Sequence, residues 1–416
     1  MTMMTERFAR MRQIYTEAES YAPALAARFA AAGFSPADLA EQRVLDRLPV
    51  LKKERLLELQ AIDPPFAGFL SCDVTELSHI FVSPGPIFEP LAADDATGHG
   101  MNMMFESAGI GRGDVALNTW SYHLVPAGLL FEQGLRAVGA TVIPAGTGNT
   151  ELQAELLLKL RPTAFLGSTA HFAKLVETLE ASGRNLPAEW NLKHAFLGGE
   201  FGDWTAKRKA IEQRFAIKTW SCYGTADLGL VGYEVRDGTG YLVHRDRFVE
   251  ICDPLTGLPL PQGASGEIIV TTLSRGWPMI RFGTGDVARA LELADDGGAV
   301  RISNLEGRVG AAVKAREIFI YPSHVQALTA RVEGLREARV AVMRREGHDE
   351  ITVELLADDA AKRASLEEAV AATFRVLTRL RPDVLHFVSS AREFGIKGLL
   401  EDKRDFGLSL DRGSGP

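Results

Sequence analysis

The chain has 416 residues, 46% of them apolar and 24% charged, with a net charge of −8. That length suits two or more globular domains, and an acidic balance with no basic run argues against a nucleic-acid partner. No apolar run approaches a membrane span, the charged helix-like start lacks an apolar signal segment, and three distant cysteines (Cys72, Cys222, Cys252) suggest neither a disulfide framework nor a Cys-x-x-Cys metal site, so a cytoplasmic protein is expected.

Residues 5–60 read as helices, with apolar positions recurring at three and four in YAPALAARFAAAGF, an N-capped turn at Ser35-Pro36, and the pattern continuing through LPVLKKERLLELQ. His79–Val82 is a short strand candidate running into Ser83-Pro84-Gly85-Pro86. A strand that enters a Ser/Gly loop can offer backbone N–H groups to phosphate, whereas prolines remove donors and stiffen the loop; a phosphate loop and a plain turn both fit. From 114 to 145 the texture is strand, helix, strand (DVALNTW, PAGLLFEQGLRAVG, ATVIPAG). It repeats through ELQAELLLKLRP, TAFLG, STAHFAKLVETLEASG, LKHAFLGGE and DWTAKRKAIEQRF. Such alternation predicts a doubly wound α/β core.

After 235 the pattern turns β-rich, with hairpin-like runs at YLVHRDRFVEICDP, SGEIIVTTL and PMIRFGTGDVARALEL. Residues 323–416 read as a small α+β tail: the helix HVQALTARVEGL, a hairpin in ARVAVMRREGHDEITVELLA, the helix ASLEEAVAATFRVLTRL, a last strand LHFVSS and a polar end. The expected fold class is therefore α/β. A large domain over 1–306 combines doubly wound mixed sheets with a β-rich subdomain, and a small α+β domain covers 307–416, with the boundary near Gly307.

The stretch 216–234, AIKTWSCYGTADLGLVGYE, is the centre of the reading. An apolar run stops at Tyr223-Gly224-Thr225, Asp227 follows, and a second apolar segment ends at Glu234. A ring, a close backbone approach, a hydroxyl and a carboxylate thus sit at one strand end, where open α/β sheets bind ligands. A simple turn fits the same residues.

Several separated segments together resemble one family, the adenylate-forming enzymes, in their phenylacetate-CoA ligase branch, from about residue 79 to about 404. The central stretch resembles that family's Tyr-Gly-x-(Ser/Thr)-Glu motif, and Phe196-Leu-Gly-Gly-Glu200 its adenine-site strand. Gly134–Pro144 and Thr150–Gln153 match the segment beneath the acyl pocket. Thr271-Thr272-Leu273 with Ile280–Asp286 resembles the ribose motif, and Gly307-Arg308 with Lys314 and Pro322 the hinge. The resemblance implies an AMP-forming acid–thiol ligase that uses ATP, Mg²⁺ and coenzyme A, with a small C-terminal lid. By the same resemblance Asp227 would hold Mg²⁺, Thr225 would hydrogen-bond the α-phosphate, and Tyr223 would stack on adenine framed by Gly199, Glu200 and Gly224. Asp286 would accept the ribose hydroxyls with help from Arg308, Ser83 and Gly85 would lie at the phosphates, and Lys397 would be the catalytic lysine, with Lys403 second.

The chain departs from the family's pattern at identifiable places. Ser83-Pro84-Gly85-Pro86 stands where a Ser/Thr/Gly-rich run ending in Gly-Lys is usual. Ala226 and Asp227 replace the usual Ser/Thr and Glu, Gly310 lies at the hinge, and Glu317 replaces a glycine nearby. The acyl pocket is expected from Trp120, Tyr122 and His123 through Ala127 and Gly128, with Gly198 across from them. Aromatics beside small residues suit an apolar or aromatic acid, and core packing accounts for them equally. The partners expected are that small carboxylic acid, ATP and coenzyme A, with a homodimer as the assembly in view and neither nucleic acid nor membrane. Two other functions stay open: a carrier-protein-loading adenylation enzyme, and a non-catalytic relative that binds nucleotide or acyl-CoA.

Overall fold

The alternation between residues 115 and 220 folds into a five-stranded parallel sheet. Its strands lie in the order Thr141–Pro144, Val115–Asn118, Ala164–Ser168, His194–Gly198, Lys218–Trp220. The protein is described from a computed structural model that covers residues 3–33, 35–40, 42–83, 85–93, 99–198, 205–236, 239–254, 256–309, 313–316, 318–320, 322–346, 348–358, 363–390 and 399–404. It divides into two compact units, Met1–Gly307 and Arg308–Pro416.

The central strands are near-continuous apolar runs because both faces are covered. On one face Ala116, Ala164, Leu166, Phe196 and Trp220 pack with Leu130, Phe131 and Leu135 of the helix Ala127–Ala137. On the other, Leu117, Phe165, Ala195 and Leu197 pack with Leu157, Phe172 and Phe215 from the helices Thr150–Lys159, Thr169–Ala181 and Thr205–Phe215. The chain leaves Val115–Asn118 for one side of the sheet and then returns to the other. The strand order therefore reverses there, and the ends of Val115–Asn118 and Ala164–Ser168 frame the switch-point crevice.

The stretch 216–234 joins two sheets. Lys218–Trp220 closes the parallel sheet, whereas Cys222–Thr225 pairs antiparallel with Gly229–Tyr233 in the β-rich one. The change occurs at Ser221, whose N–H donates to Glu234 Oε2 at 2.8 Å instead of continuing a ladder. The β-rich sheet runs Arg247–Cys252, Ser265–Thr272, Phe282–Leu293, Ala299–Ile302, Tyr241–Val243, Gly229–Tyr233, Cys222–Thr225. Its core holds Val249, Ile251, Ile268, Val270, Phe282 and Tyr223. Helices Met3–Glu19 and Pro23–Ala32 cover it through Phe8, Met11, Tyr15 and Phe29, with the Tyr15 hydroxyl donating to the Thr272 carbonyl at 3.0 Å.

Two local expectations are corrected and one open alternative is narrowed. Within LPVLKKERLLELQ, Leu51–Lys52 is a strand parallel to Phe282–Gly283, and the helix begins only at Lys53. Pairing with a distant strand overrides the helical spacing there. The stretch around His79 is a hairpin, Leu77–Ser83 with Ile87–Ala92, so of the two readings left open there the turn is the one observed, with Ser83 and Gly85 at it. In the second unit, the end expected to be polar adds a strand, Leu400–Asp402, parallel to Leu335–Arg345.

The second unit is otherwise as read. The strands Leu335–Arg345 and His348–Ala357 form an antiparallel pair, and Val384–Phe387 adds parallel to the latter. Helices Pro322–Arg331 and Arg363–Thr378 contribute Val325, Leu328, Leu366, Val370 and Phe374 to a core of its own.

Candidate active site

At the end of Cys222–Thr225 the chain turns sharply. Gly224 is required there, since a Cβ would lie 2.6 Å from the Gly229 carbonyl oxygen, and Gly229 itself has φ +68°. The Tyr223 ring is buried in the β-rich core, and its hydroxyl donates to Asp286 Oδ2 at 2.9 Å. The strand Phe282–Leu293 positions Asp286. The Asp286 N–H donates to Thr284 Oγ1 at 3.1 Å, the Thr284 hydroxyl to the Ile268 carbonyl at 3.0 Å, and the Gly285 N–H to Glu267 Oε1 at 3.2 Å. Two motif residues 63 positions apart thus meet through one hydrogen bond.

Two residues past Thr225, the Asp227 side chain is wholly buried and ion-paired with Lys53, Nζ to Oδ2 2.7 Å. Lys53 opens the helix Lys53–Ile62, and two turns later Gln60 fastens that helix to the hairpin. Gln60 Nε2 donates to the Phe88 carbonyl and Gln60 Oε1 accepts from the Phe88 N–H, both at 2.9 Å. The clasp fixes Glu89, which is 2% exposed and whose Oε1 accepts from the Ser83 hydroxyl at 2.7 Å. Burial first, then the Asp227 charge beside it, holds the Glu89 carboxyl well above the usual carboxylate range.

Asp227 Oδ1, Glu89 Oε2 and Thr225 Oγ1 are buried atoms with no hydrogen-bond partner. Among the described residues no group of three or more His, Cys, Asp or Glu could hold a metal by itself. One or two carboxylate oxygens completed by substrate phosphates is nevertheless the set that Mg²⁺ takes, so the residues at Asp227 fit that ion.

The switch-point crevice carries the acyl candidates. Asn118, fully buried at its strand end, donates through Nδ2 to the Tyr122 hydroxyl at 2.9 Å and the Gly128 carbonyl at 2.8 Å. Its Oδ1 accepts the Trp120 N–H at 3.2 Å. The Trp120 ring stacks on Phe131 with centroids 5.9 Å apart, and a Cβ on Gly198 would lie 3.2 Å from indole Cζ2. Gly128 has no room either, its Cβ falling 2.6 Å from the Ser121 carbonyl oxygen. Trp120, Tyr122, Gly128 and Gly198 are thereby gathered, and Ala127 packs against the apolar cluster beneath them. His123 is exposed, with its N–H held by Ser121 Oγ at 3.1 Å.

Arg308 begins the second unit, and in that unit exposed Lys403 pairs with Glu401 at 3.4 Å. Gly199, Glu200 and Lys397 lie outside the described residues.

Sequence reasoning missed Lys53, Glu89 and Asn118. For Glu89 a signal existed. In IFEPLA it shares the period-two face of Ile87 and Leu91, all three buried, and an acid on an apolar face is out of place.

No family model matches the chain. It is 29% identical over 331 residues to a phenylacetate-coenzyme A ligase of Thermus thermophilus, covering 76% of this chain and 72% of that protein. It is 27% identical over 364 residues to one of Pseudomonas putida, covering 84% and 81%. A solved structure of 2-hydroxyisobutyryl-CoA ligase, with its acyl-adenylate and CoA, superposes with a TM-score of 0.85 at 24% identity, covering 96% of this chain and 89% of that one.

Proposed function

Proceeding from a chain similar to the phenylacetate-CoA ligases over most of its length and folded like a solved acyl-CoA ligase, we propose that this protein is an ATP-dependent acid–thiol ligase. The acid's carboxylate oxygen attacks the α-phosphorus of ATP and pyrophosphate leaves with the broken P–O bond. The coenzyme A thiolate then attacks the acyl carbonyl, expelling AMP and leaving the thioester. The observation that carries this reading is the hydrogen bond that joins Tyr223 to Asp286, with the buried Asp227–Lys53 pair two residues past Thr225, among motifs that follow the family's order.

In the first step this chain's residues mainly bind and orient. Asp286, held by Tyr223 and by its own strand, would accept the ribose hydroxyls, and the Tyr223 side would receive adenine. Thr225 Oγ1, a buried hydroxyl with an unused hydrogen, would donate to the α-phosphate, where charge develops. When bound, Mg²⁺ would neutralise the phosphates, with Asp227 as its protein ligand. The acid would enter the crevice lined by Trp120, Tyr122, Gly128 and Gly198, and the flat rings favour an aromatic or apolar acid. Residues 1–306 would form the nucleotide-binding domain and 307–416 the lid, which would bring Lys397 to the attacking carboxylate. The cytoplasm, where ATP and coenzyme A are plentiful, would be the compartment.

A non-catalytic relative is the second reading, favoured by one observation. The hydroxyl of Ser83 is committed to Glu89 in a tight hairpin turn whose sequence lacks a lysine. Pyrophosphate release from ATP against a panel of aryl, branched and short-chain acids, with and without coenzyme A, separates the readings. The ligase releases pyrophosphate only with a matching acid and forms an acyl-CoA when the thiol is present. Adenylation that free coenzyme A does not discharge points to a carrier protein as acceptor, and ATP binding without pyrophosphate from any acid contradicts the proposal.

A further inference from the structure

We propose that Glu89 is a second carboxylate ligand of the divalent cation at Asp227, so that this chain holds its metal by a carboxylate pair drawn from the Ile87–Ala92 hairpin strand and the turn after Cys222–Thr225. The inference rests on the ligase reading for the identity of the cation's other partner, a nucleotide phosphate.

Four observations point to Glu89. It is 2% exposed, on a strand whose other inward residues, Ile87 and Leu91, are apolar, so its carboxyl has a cost that packing alone does not explain. One of its oxygens takes the Ser83 hydroxyl, while Oε2 is buried with no donor. Asp227 repeats the arrangement: Oδ2 takes Lys53 and Oδ1 is buried with no donor. Each carboxylate is thus oriented through one oxygen by a neighbour, as outer partners orient metal ligands, and the two remaining oxygens have no donor except a proton shared between the two carboxyls, which a cation would replace.

Charge supports the same assignment. Burial and Asp227 keep a proton on Glu89 while the site holds no cation, and a divalent ion that displaces that proton would face two carboxylates beside one Lys53 ammonium. A divalent cation with phosphate oxygens on its open side balances that charge, and it takes the hard oxygen donors that these side chains supply. Glu89 also suits the altered hairpin. The turn Ser83-Pro84-Gly85-Pro86 carries no lysine to meet phosphate, and a cation held by two carboxylates would meet it instead. The Gln60 clasp on Phe88 then acts as a positioning device, since it fixes the backbone next to Glu89.

The test uses Mn²⁺ titrated into the full chain saturated with α,β-methylene-ATP, with free Mn²⁺ followed by its electron paramagnetic resonance signal. The wild type is expected to bind one Mn²⁺ per chain more tightly than the nucleotide alone does. Glu89→Gln is expected to weaken Mn²⁺ at least about tenfold, with nucleotide affinity in EDTA no weaker than wild type. Glu89→Asp, which keeps the charge, should fall between them and serves if the glutamine variant does not fold. Wild-type Mn²⁺ affinity in folded Glu89→Gln, with Asp227→Asn alone weakened, overturns the assignment; no protein-dependent Mn²⁺ binding in the wild type overturns the carboxylate pair altogether. Neither acid nor coenzyme A is present, so an inactive ligase would leave this result untouched, and a working ligase with an indifferent Glu89 would defeat this inference alone.

Discussion

Lys53 shows how much a single side chain can hold. Its ammonium lies 2.7 Å from an Asp227 carboxylate whose side chain has no exposure, and removing one partner of a buried pair leaves the other charge uncompensated. Lys53→Met should therefore cost about 3 kcal/mol of stability, read from urea denaturation, with Lys53→Arg recovering most of it. An unchanged midpoint would mean that Asp227 draws its compensation from elsewhere. At this scale the sequence was informative about residue types and silent about their meetings. Tyr223 and Asp286 stand out as motif residues, but their hydrogen bond spans 63 positions and follows only from how the Phe282–Leu293 and Cys222–Thr225 strands are placed in one sheet. Lys53 was not legible, because a lysine at the start of an exposed-looking helix reads as a solvated charge. Glu89 was legible in principle, as an acid on an apolar strand face, and the neighbouring prolines drew the reading toward the turn instead.

Elements carry the next set of constraints, chiefly at turns. In the turn after Cys222–Thr225, Gly229 adopts φ +68° and a Cβ would lie 2.3 Å from His99 Cβ. Gly229→Ala should thus cost about 2–3 kcal/mol, from the left-handed backbone and the forced shift of His99, measured as a lowered denaturation midpoint. A midpoint within error of wild type would contradict the placement of this turn. At the turn between Tyr241–Val243 and Arg247–Cys252, His244 is buried and its Nδ1 accepts the Asp246 N–H at 3.0 Å. Burial first and Arg247 second, with Arg245 and His99 adding to them against Asp246, push its imidazole down to about 3. An unfolded histidine takes its proton near pH 6.5, so below that value the unfolded state holds a proton that the native state refuses. Stability from His244 is fully present above about pH 6.5 and falls as pH drops toward 3, by up to about 1.4 kcal/mol per unit. Denaturation midpoints of wild type between pH 7 and 5 should fall more steeply than those of His244→Gln; parallel slopes would contradict its burial as a neutral ring. Element types were largely readable from periodicity, since the parallel strands are short apolar runs between amphipathic helices. Leu51–Lys52 and Leu400–Asp402 were not, because strands of two or three residues exist only through a long-range partner.

For the molecule as a whole, the order of motifs along the chain carried more than any one of them. That order follows the path by which one sheet hands over to the other at Ser221 and by which the β-rich sheet brings Asp286 back to Tyr223. The proposed acyl side was legible only as a list of aromatics and glycines. Its organiser, Asn118, sits at a strand end that becomes a switch point once the strand order is known. The central claim, that the acid is activated as an acyl-adenylate, makes a direct prediction about atoms. If a carboxylate oxygen attacks the α-phosphorus and AMP later leaves with that oxygen, acid labelled with ¹⁸O in its carboxylate must pass one label to AMP. Mass spectrometry of AMP from a complete reaction with the best acid of the panel is the measurement. One ¹⁸O per AMP is the result expected; unlabelled AMP, or no AMP from any acid despite measurable ATP binding, would contradict the account.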